Sequence, residues 1–332
     1  MSLSTNSRAC LLRLLLCAAI GSGVAAVATP AAAQAWPTKP VHIIAPFGTG
    51  SILDQLARIL GGHMSKALGQ PVVVENVVGA GGVTGMAQMA RAPKDGYTIA
   101  IVNNSFAINP SIYKKMPFDT VKDTMPIAII GNTPYVLVVN PALPANNLRE
   151  LIALAKSKPD ALSFGSSGNG SPLHLAKELM TSEAGIRIKH VPYKQSAQML
   201  TDLIGGSIDM AMYSIPAIAA HIQSGKLRAL GLSTQTRSGL LPAVPTFAEV
   251  GLPNYNFAGW LAFIAPSGTP KPVIDRLNAE IRAALALKEV QEALAKMDVA
   301  TVDGSTEFAT KFFASELERN AQLVKISGAA LE

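Results

Sequence analysis

Cysteine is nearly absent from this sequence: of 332 residues only Cys10 and Cys17 are cysteines, and both lie in the first 35 residues. This 35-residue segment has no acidic residue. It begins with a part that carries two arginines, continues with an apolar run over residues 14–27 and ends with small residues up to Ala35. A basic start, an apolar centre and a small-residue end are typical of a secretory signal peptide. We predict cleavage after Ala35, which leaves a mature chain without cysteine and therefore without disulfides.

Long apolar runs and clusters of basic residues are also lacking. The run over residues 14–27 is shorter than the roughly 20 residues that a membrane-spanning helix needs, and no second such run follows. An uncleaved membrane anchor remains the alternative, whereas a lipid anchor at Cys17 is disfavoured by the large Leu16 before it. Loss of the two N-terminal arginines lowers the formal net charge from +6 to +4, and the remaining basic residues are scattered. We therefore expect a soluble mature protein that does not bind nucleic acid.

The motifs of common enzyme classes are missing from the sequence as well. No Gly-x-Ser-x-Gly nucleophile motif occurs, and a dinucleotide fingerprint fails at Thr84, where its third glycine would stand. The histidines are dispersed and no His-Glu-x-x-His occurs, so we predict no metal site, no cofactor and no catalytic residue. We expect His42 and His190 to be packing or strand residues and His174 to pack within a helix.

Short runs rich in β-branched residues alternate with longer amphipathic segments, which indicates an α/β fold in which helices cover mostly parallel sheets. The predicted strands are 41–45, 72–75, 98–102, 127–130, 136–139, 163–165, 208–212, 229–232 and 262–265. The predicted helices are 52–68, 148–156, 172–184, 197–204, 215–224, 271–286, 289–296 and 306–326. Boundaries of this kind are accurate to a few residues.

Two predicted strands are followed by prolines, in segments 135–144 and 260–272, and we interpret both segments as crossings between two lobes. Lobe 1 then consists of residues 36–138 and 260–332, and lobe 2 of residues 139–259. A ligand is expected in the cleft between the lobes, where loops at the carboxyl ends of both sheets meet.

Four loops at predicted strand-to-helix junctions combine small residues with free backbone N–H groups: 47–51, 79–82, 103–105 and 166–171. A helix N-terminus carries unpaired N–H donors and about half a positive charge, so such a loop binds a carboxylate or phosphate without arginine. Each loop alone is more often a plain turn, but four together favour an anion site. Asp54, in the first turn of the first helix, is interpreted as a capping residue rather than a ligand contact.

Short motifs follow one another along the chain from Trp36. They are Trp36-Pro37-Thr38-Lys39-Pro40, Pro46-Phe47, Pro71-Val72-Val73-Val74-Glu75-Asn76 with Gly79-Ala80-Gly81-Gly82, Asp95-Gly96-Tyr97-Thr98, Ile108-Asn109-Pro110, Ser166-Ser167-Gly168-Asn169-Gly170-Ser171, His190-Val191-Pro192-Tyr193-Lys194 and Gly225-Lys226-Leu227-Arg228-Ala229-Leu230. Together these motifs resemble the Bug family, the TctC-type periplasmic receptors of tripartite tricarboxylate transporters.

This resemblance implies a two-lobed, Venus-flytrap receptor in the periplasm, and no enzyme. Such a receptor closes on a small organic carboxylate and delivers it to the membrane components of a tripartite tricarboxylate transporter. Carried over by motif, the residues expected to hold the ligand are Phe47, Gly48, Thr49, Gly50, Ser51, Gly81, Asn104 and Ser105 in lobe 1, and Ser166, Ser167, Gly168, Tyr193, Lys194, Gln195 and Ser214 in lobe 2.

The sequence departs from the usual motifs of the family at several of these positions. Thr49 replaces proline, Ser51 replaces glycine, and apolar residues follow at positions 52 and 53, where the family has a polar pair. Gln195 replaces a glycine, and Tyr213 begins a pair that is often Asp-Asn. We therefore hypothesise a more apolar cleft that favours an aromatic or longer acid.

Two other functions remain open from the sequence alone. One is a secreted enzyme that acts on a small acid, with Asp54, His174 or Lys194 as the general acid or base. The other is a receptor that signals to a membrane sensor instead of feeding a transporter.

Overall fold

Two sheets covered by helices make up the part of the chain that the computed structural model describes, residues 36–329. The predicted signal peptide, with both cysteines, lies outside these residues. A compact unit begins at Lys39 and contains both sheets. Within the described range, no helix has the length and apolar character needed to cross a membrane.

The elements follow one another in an α/β order. They are β1 (Val41–Ala45), α1 (Ile52–Leu68), β2 (Val72–Asn76), a 3-10 turn (Ala80–Gly82), α2 (Val83–Ala90), β3 (Thr98–Asn103), α3 (Ser105–Ile112), β4 (Thr124–Thr133), β5 (Tyr135–Val139), α4 (Leu148–Ser157), β6 (Ser163–Ser166), α5 (Pro172–Ala184), β7 (Lys189–Pro192), α6 (Ser196–Gly205), β8 (Met210–Ser214), α7 (Ile215–Gln223), β9 (Arg228–Leu232), β10 (Gly259–Pro266), α8 (Lys271–Ala286), α9 (Lys288–Lys296), β11 (Ala300–Thr301) and α10 (Thr306–Ser327).

The first sheet has the strand order β11-β4-β10-β3-β1-β2, and the second has the order β7-β6-β8-β5-β9. The central strands are nearly continuous apolar runs, because helices cover both faces of each sheet. All eight residues of β10, for example, are buried. The predicted α/β fold with two lobes is therefore confirmed.

The prediction that the sheets are mostly parallel is wrong, since both sheets are mixed. β1 pairs in parallel with β2 and β3, and β6 pairs in parallel with β7 and β8. Every pair made by β4, β5 or β10 is antiparallel. Parallel neighbours arise from strand-helix-strand units, whereas β4, β5 and β10 adjoin the connections between the two sheets and enter without a crossover helix.

The boundaries of the lobes stay a prediction, and two observations bear on them. β5 begins at Tyr135 and pairs only with β8 and β9 of the second sheet, so the N-terminal group of strands in the first sheet ends with β4 at Thr133 and not at residue 138. The C-terminal helix does not stay within lobe 1 either. Leu323 and Val324 at the end of α10 pack in the hydrophobic cluster that contains Phe164 of the second sheet.

Four elements were not predicted from the sequence: α2, α3, β7 and β11. Helix α3 contains Pro110, a residue that usually breaks a helix. The edge strand β7 has no apolar run, and β11 has only two residues. His190 nevertheless lies in β7 and His42 in β1, and the buried His174 lies in α5, as predicted.

Candidate functional site

A cavity of about 620 Å³ lies between the two sheets, and its size is typical of small-molecule sites. All four predicted anion-binding loops reach it, through Phe47, Gly81, Ser105 and Ser167 respectively. Within the described part of the chain, the lining includes no Asp, Glu, Lys, Arg or His. A ligand in this cleft must therefore be held by neutral groups and by the backbone.

Several helices begin at the wall of the cleft. The lining includes Ser105 at the start of α3, Pro172 at the start of α5, Ser196 at the start of α6 and Ser214, the N-cap of α7. The N-cap side chains of α3, α6 and α7 make no capping hydrogen bond. The ends of α6 and α7 therefore keep backbone N–H donors, and the positive ends of their dipoles, for a ligand. At the start of α3, the Ser105 N–H donates to Asn103 Oδ1 at 3.1 Å.

The rest of the wall is apolar and aromatic. It includes Ile52, Ile112, Leu173, Leu200 and Tyr213. The Tyr213 hydroxyl donates a hydrogen bond to the Ser196 carbonyl oxygen at 3.4 Å, and burial raises its pKa well above the usual value. The cleft thus combines anion-binding helix ends with an apolar surface large enough for the carbon skeleton of an acid.

Ten of the fifteen predicted site residues do not line this cavity. Phe47, Gly81, Ser105, Ser167 and Ser214 do line it. The other ten are Gly48, Thr49, Gly50, Ser51, Asn104, Ser166, Gly168, Tyr193, Lys194 and Gln195. For most of them the structure shows another role, which follows from their hydrogen bonds or their exposure.

The loop before α1 is held by Asp54 and leaves few donors for a ligand. The Gly50 N–H donates to Asp54 Oδ2 at 2.9 Å, and Ser51 Oγ accepts from the Asp54 N–H at 3.3 Å. Asp54 is 2% exposed and also accepts from Arg58 Nε and from Asn76 Nδ2, both at 3.0 Å. The Asp54 carboxylate therefore already pairs with the Gly50 N–H, whereas Ser51 Oγ accepts from the Asp54 backbone N–H; that these two residues hold the ligand stays a prediction.

The same Asp54 network places Phe47 in the cleft. Asn76 Nδ2 donates both to Asp54 and to the Phe47 carbonyl oxygen, each at 3.0 Å. The bonds from Arg58, Gly50 and Asn76 lower the pKa of Asp54 to about 2. Asp54 therefore stays ionised and acts as an internal anion at this helix end, as predicted for a capping residue.

Ser166 supports the serine loop from beneath instead of facing the ligand. It is fully buried, and its Oγ hydrogen bonds to His190 Nε2 at 2.5 Å and donates to the Gly168 carbonyl oxygen at 3.1 Å. The His190 ring stacks on His174 with the ring centres 3.7 Å apart. Burial and the nearby His174 and Lys177 lower the pKa of His190 to about 4, so it is neutral at physiological pH.

Asn104 and Tyr193 also have structural roles. Asn104 Nδ2 donates to the Ala258 carbonyl oxygen at 3.0 Å, and its Oδ1 accepts from the Trp260 N–H at 2.9 Å, so this side chain joins α3 to β10. The Tyr193 hydroxyl donates to Asp202 Oδ2 at 2.8 Å within the second lobe. Burial and this carboxylate raise the pKa of Tyr193 to about 12.

Gly48, Thr49, Lys194 and Gln195 are exposed outside the cavity lining, and Gly168 is half-buried beside it. The two buried residues that were considered as an enzymatic acid or base are also already hydrogen bonded. Asp54 is fully hydrogen bonded, and His174 Nδ1 accepts from the Gly170 N–H at 3.1 Å while its Nε2 lies 3.2 Å from Glu178. The described residues also contain no cluster of His, Cys, Asp and Glu that could hold a metal ion.

Several residues of the cleft were not predicted from the sequence, among them Tyr113, Thr133 and Tyr135. Thr133 ends β4 and Tyr135 begins β5, so both lie where the chain crosses from one sheet to the other. The sequence predicted a crossing over residues 135–144, which does not include Thr133, and it named none of the side chains that face the cleft there. An apolar strand does not reveal which of its residues face a cavity.

Comparisons with known proteins agree with this architecture. The profile of the family described as "Tripartite tricarboxylate transporter family receptor" matches residues 56–329. Protein BugT of Bordetella pertussis is 38% identical over 322 residues, which cover 96% of this chain and 99% of BugT.

Two solved structures are similar over nearly their whole length. R. palustris Rpa4515, solved with adipate, has a TM-score of 0.78 and 33% identity, covering 89% of this chain and 99% of that one. The periplasmic binding protein BugD has a TM-score of 0.75 and 31% identity, covering 90% and 100%. These relatives are binding proteins and receptors, which confirms the prediction of a solute-binding receptor rather than an enzyme. The chain therefore belongs to the TctC-type, or Bug, family of tripartite tricarboxylate transporter receptors.

Proposed function

We propose that this receptor captures a small organic carboxylate in the cleft between its sheets and delivers it to the membrane components of a tripartite tricarboxylate transporter. Residues 1–35 would serve as the cleaved signal peptide that exports it to the periplasm. The observation that carries the proposal is the convergence of helix N-termini on a cleft whose described lining has no charged side chain. An anion is the natural ligand of such donors.

The choice of a carboxylate has separate support. The similar Rpa4515 structure contains adipate, a carboxylate at both ends of an apolar chain. The cleft of this protein has groups that complement both features. Uncapped helix ends can bind a carboxylate, and apolar side chains such as Ile112 and Leu200 adjoin them. The apolar part of the cleft wall also favours an acid whose carbon skeleton is large enough to contact it.

A thermal-shift screen tests this function directly. We expect the mature protein, residues 36–332, to be stabilised by one class of aliphatic or aromatic mono-, di- or tricarboxylates. An acid at 100 times its dissociation constant adds about 2.7 kcal/mol to the free energy of unfolding. The acid should be recovered unchanged after incubation. No shift with any acid, or conversion of the acid into a product, would contradict the proposal.

Binding is expected to close the cleft. The chain crosses between the sheets at residues 133–135, which we call the hinge, and a contact behind this hinge resists closure. A second cavity, of about 390 Å³, is lined by Asn132 and Pro134, whereas Thr133 and Tyr135 line the cleft. Successive residues of an extended segment face opposite sides, so the two cavities lie on opposite faces of this crossing. A hinge motion that narrows the cleft therefore widens the rear cavity.

One hydrogen-bonded pair joins the lobes across the rear cavity. Ser238, which follows β9 of the second sheet, donates to the Asp298 carboxylate, whose oxygens lie 2.8 and 2.9 Å from Ser238 Oγ. Asp298 precedes β11 of the first sheet. Burial raises the pKa of Asp298, so its carboxylate depends on this donor.

We expect Ser238→Ala to bind the acid more tightly than the wild-type protein, because closure no longer has to break the bond to Asp298. The gain should be about threefold to tenfold, which corresponds to the net contribution of a typical intramolecular hydrogen bond. Isothermal titration calorimetry measures it. Ser315→Ala is the matched control, since Ser315 lies on the exposed face of α10 and its Oγ only donates to the Phe312 carbonyl oxygen. Equal or weaker binding by Ser238→Ala would show that the pair does not oppose closure.

A further inference from the structure

A buried hydroxyl without a partner lies in the wall of the cleft. Thr133 is 7% exposed, and its Oγ1 has no hydrogen-bond partner among the described residues. Buried polar groups are nearly always hydrogen bonded, so an orphan in a cavity wall points to a partner that arrives with a ligand. Thr133 was not among the residues that the family motifs suggested.

A second hydroxyl lies beside it. Tyr135 also lines the cleft, and no described residue shares a hydrogen bond with its side-chain hydroxyl. A Cβ atom built on Gly259 would lie 2.8 Å from the Thr133 methyl carbon and 2.9 Å from the Tyr135 hydroxyl oxygen. The two side chains therefore pack over the same glycine and are neighbours.

The position of Tyr135 links it to both lobes. Its backbone pairs with Ser214 in the second sheet, and Ser214 is the N-cap of α7. Its hydroxyl lies over Gly259, which pairs with Thr133 in the first sheet. Burial raises the pKa of Tyr135 to about 12, so the phenol stays protonated and keeps its donor hydrogen.

We propose that the Thr133 and Tyr135 hydroxyls form a second subsite at the hinge, which donates hydrogen bonds to an acceptor oxygen at the far end of the bound acid. This inference rests on the proposed function and deepens it. The preferred ligand is then an acid with two polar ends joined by an apolar skeleton. The helix N-termini hold one carboxylate, and the hinge hydroxyls select acids whose other end carries a carboxylate or carbonyl oxygen.

Two pairs of acids and two variants test the subsite. Adipate and hexanoate share a carbon chain and differ only in the second carboxylate, and 4-carboxybenzoate and benzoate form the same comparison on a ring. We expect the wild-type protein to bind at least one diacid about tenfold or more tighter than its monoacid partner. Thr133→Val replaces the hydroxyl by a methyl group, and Tyr135→Phe removes it. Each variant should bind that diacid about fivefold to twentyfold more weakly and bind the monoacid within about twofold of the wild-type protein.

The stability of the ligand-free protein separates this role from a structural one. Replacing an unpaired buried hydroxyl by a methyl group of the same shape removes a desolvated polar atom, so Thr133→Val should unfold at the same or a higher temperature. Thr133→Ser, which keeps the hydroxyl, should restore the preference for the diacid. Thr301→Val, on the exposed edge strand β11, is the control and should change neither property.

The outcomes distinguish two failures. If the wild-type protein binds acids but Thr133→Val and Tyr135→Phe keep the full preference for the diacid, the hinge subsite is wrong and the receptor function stands. If it binds monoacids as tightly as diacids, the subsite is equally wrong. If it binds none of the four acids and no other carboxylate, the proposed function fails and the subsite fails with it.

Discussion

Replacing Ser214 by aspartate is expected to abolish carboxylate binding without unfolding the protein. Ser214 is the N-cap of α7 and lines the cleft, and its own side chain makes no capping hydrogen bond. Aspartate is among the best N-cap residues, so Ser214→Asp places a carboxylate on the N–H donors that the ligand needs. Two like charges about 4 Å apart repel by about 4 kcal/mol at a protein surface, enough for a loss of about 100-fold or more in affinity.

The direction of the stability change makes this prediction specific. An acidic residue at a helix N-terminus is stabilising by about 0.3 to 1 kcal/mol, so the ligand-free Ser214→Asp variant should unfold at the same or a slightly higher temperature. Calorimetric titration with adipate, or with the tightest acid of the screen, measures the affinity.

Ser305→Asp is the matched control for this variant. Ser305 is the N-cap of α10, where its side chain accepts from the Phe308 N–H, and it does not line the cleft. This substitution should leave binding unchanged. A folded Ser214→Asp protein that binds the acid normally would place the anion site away from α7.

Replacing Asp54 by alanine is expected to lower the free energy of unfolding by about 2 to 3 kcal/mol, because hydrogen bonds to a buried charged group are lost. The Gly50 N–H loses its acceptor, and Asn76 loses one of the two partners that fix the Phe47 carbonyl. The variant should therefore also bind the acid more weakly, through disorder of Phe47 in the cleft. Urea unfolding and calorimetric titration measure the two effects.

The contribution of Asp54 to stability should depend on pH in a defined window. Its pKa is about 2 in the folded protein, against 3.8 in the unfolded chain. The contribution is therefore full above about pH 4 and is lost as the pH falls toward 2, by about 2 kcal/mol in total. Asp54→Ala should be less sensitive than the wild-type protein between these pH values.

Asp275→Ala is the control for this pH dependence. Asp275 pairs with Lys271 on the exposed face of α8, and surface pairs of this kind contribute about 0 to 1 kcal/mol. A parallel decline of wild-type and Asp54→Ala stability below pH 4 would show that the Asp54 network is not a stabilising one.

The first loop shows how far sequence patterns reach. Small residues before α1 correctly predicted a helix N-terminus at the cleft, and Phe47 does line the cavity. The pattern did not reveal that Asp54, a few residues later, folds back and occupies the Gly50 donor. The same sequence is compatible with a free Gly50 N–H and with an occupied one, because the difference depends on the direction in which the Asp54 side chain points.

The serine loop gives the same lesson in the second lobe. Ser166, Ser167 and Gly168 were all predicted to bind the ligand, yet Ser167 lines the cleft while Ser166 is buried against His190. Alternate residues of an extended segment face opposite sides, so one of two adjacent serines had to point away. Only the packing of β6 against β7 decides which one.

The sequence by itself determined the α/β class, the order of most elements and the family, because these depend on periodicity and on motifs that are local in the chain. The tertiary structure decided which sides of those elements meet. It gave the mixed sheets, it assigned α7, Thr133 and Tyr135 to the cleft, and it joined Ser238 to Asp298 behind the hinge. These contacts join residues far apart in the chain, and their energies depend on burial and direction, which no local pattern specifies.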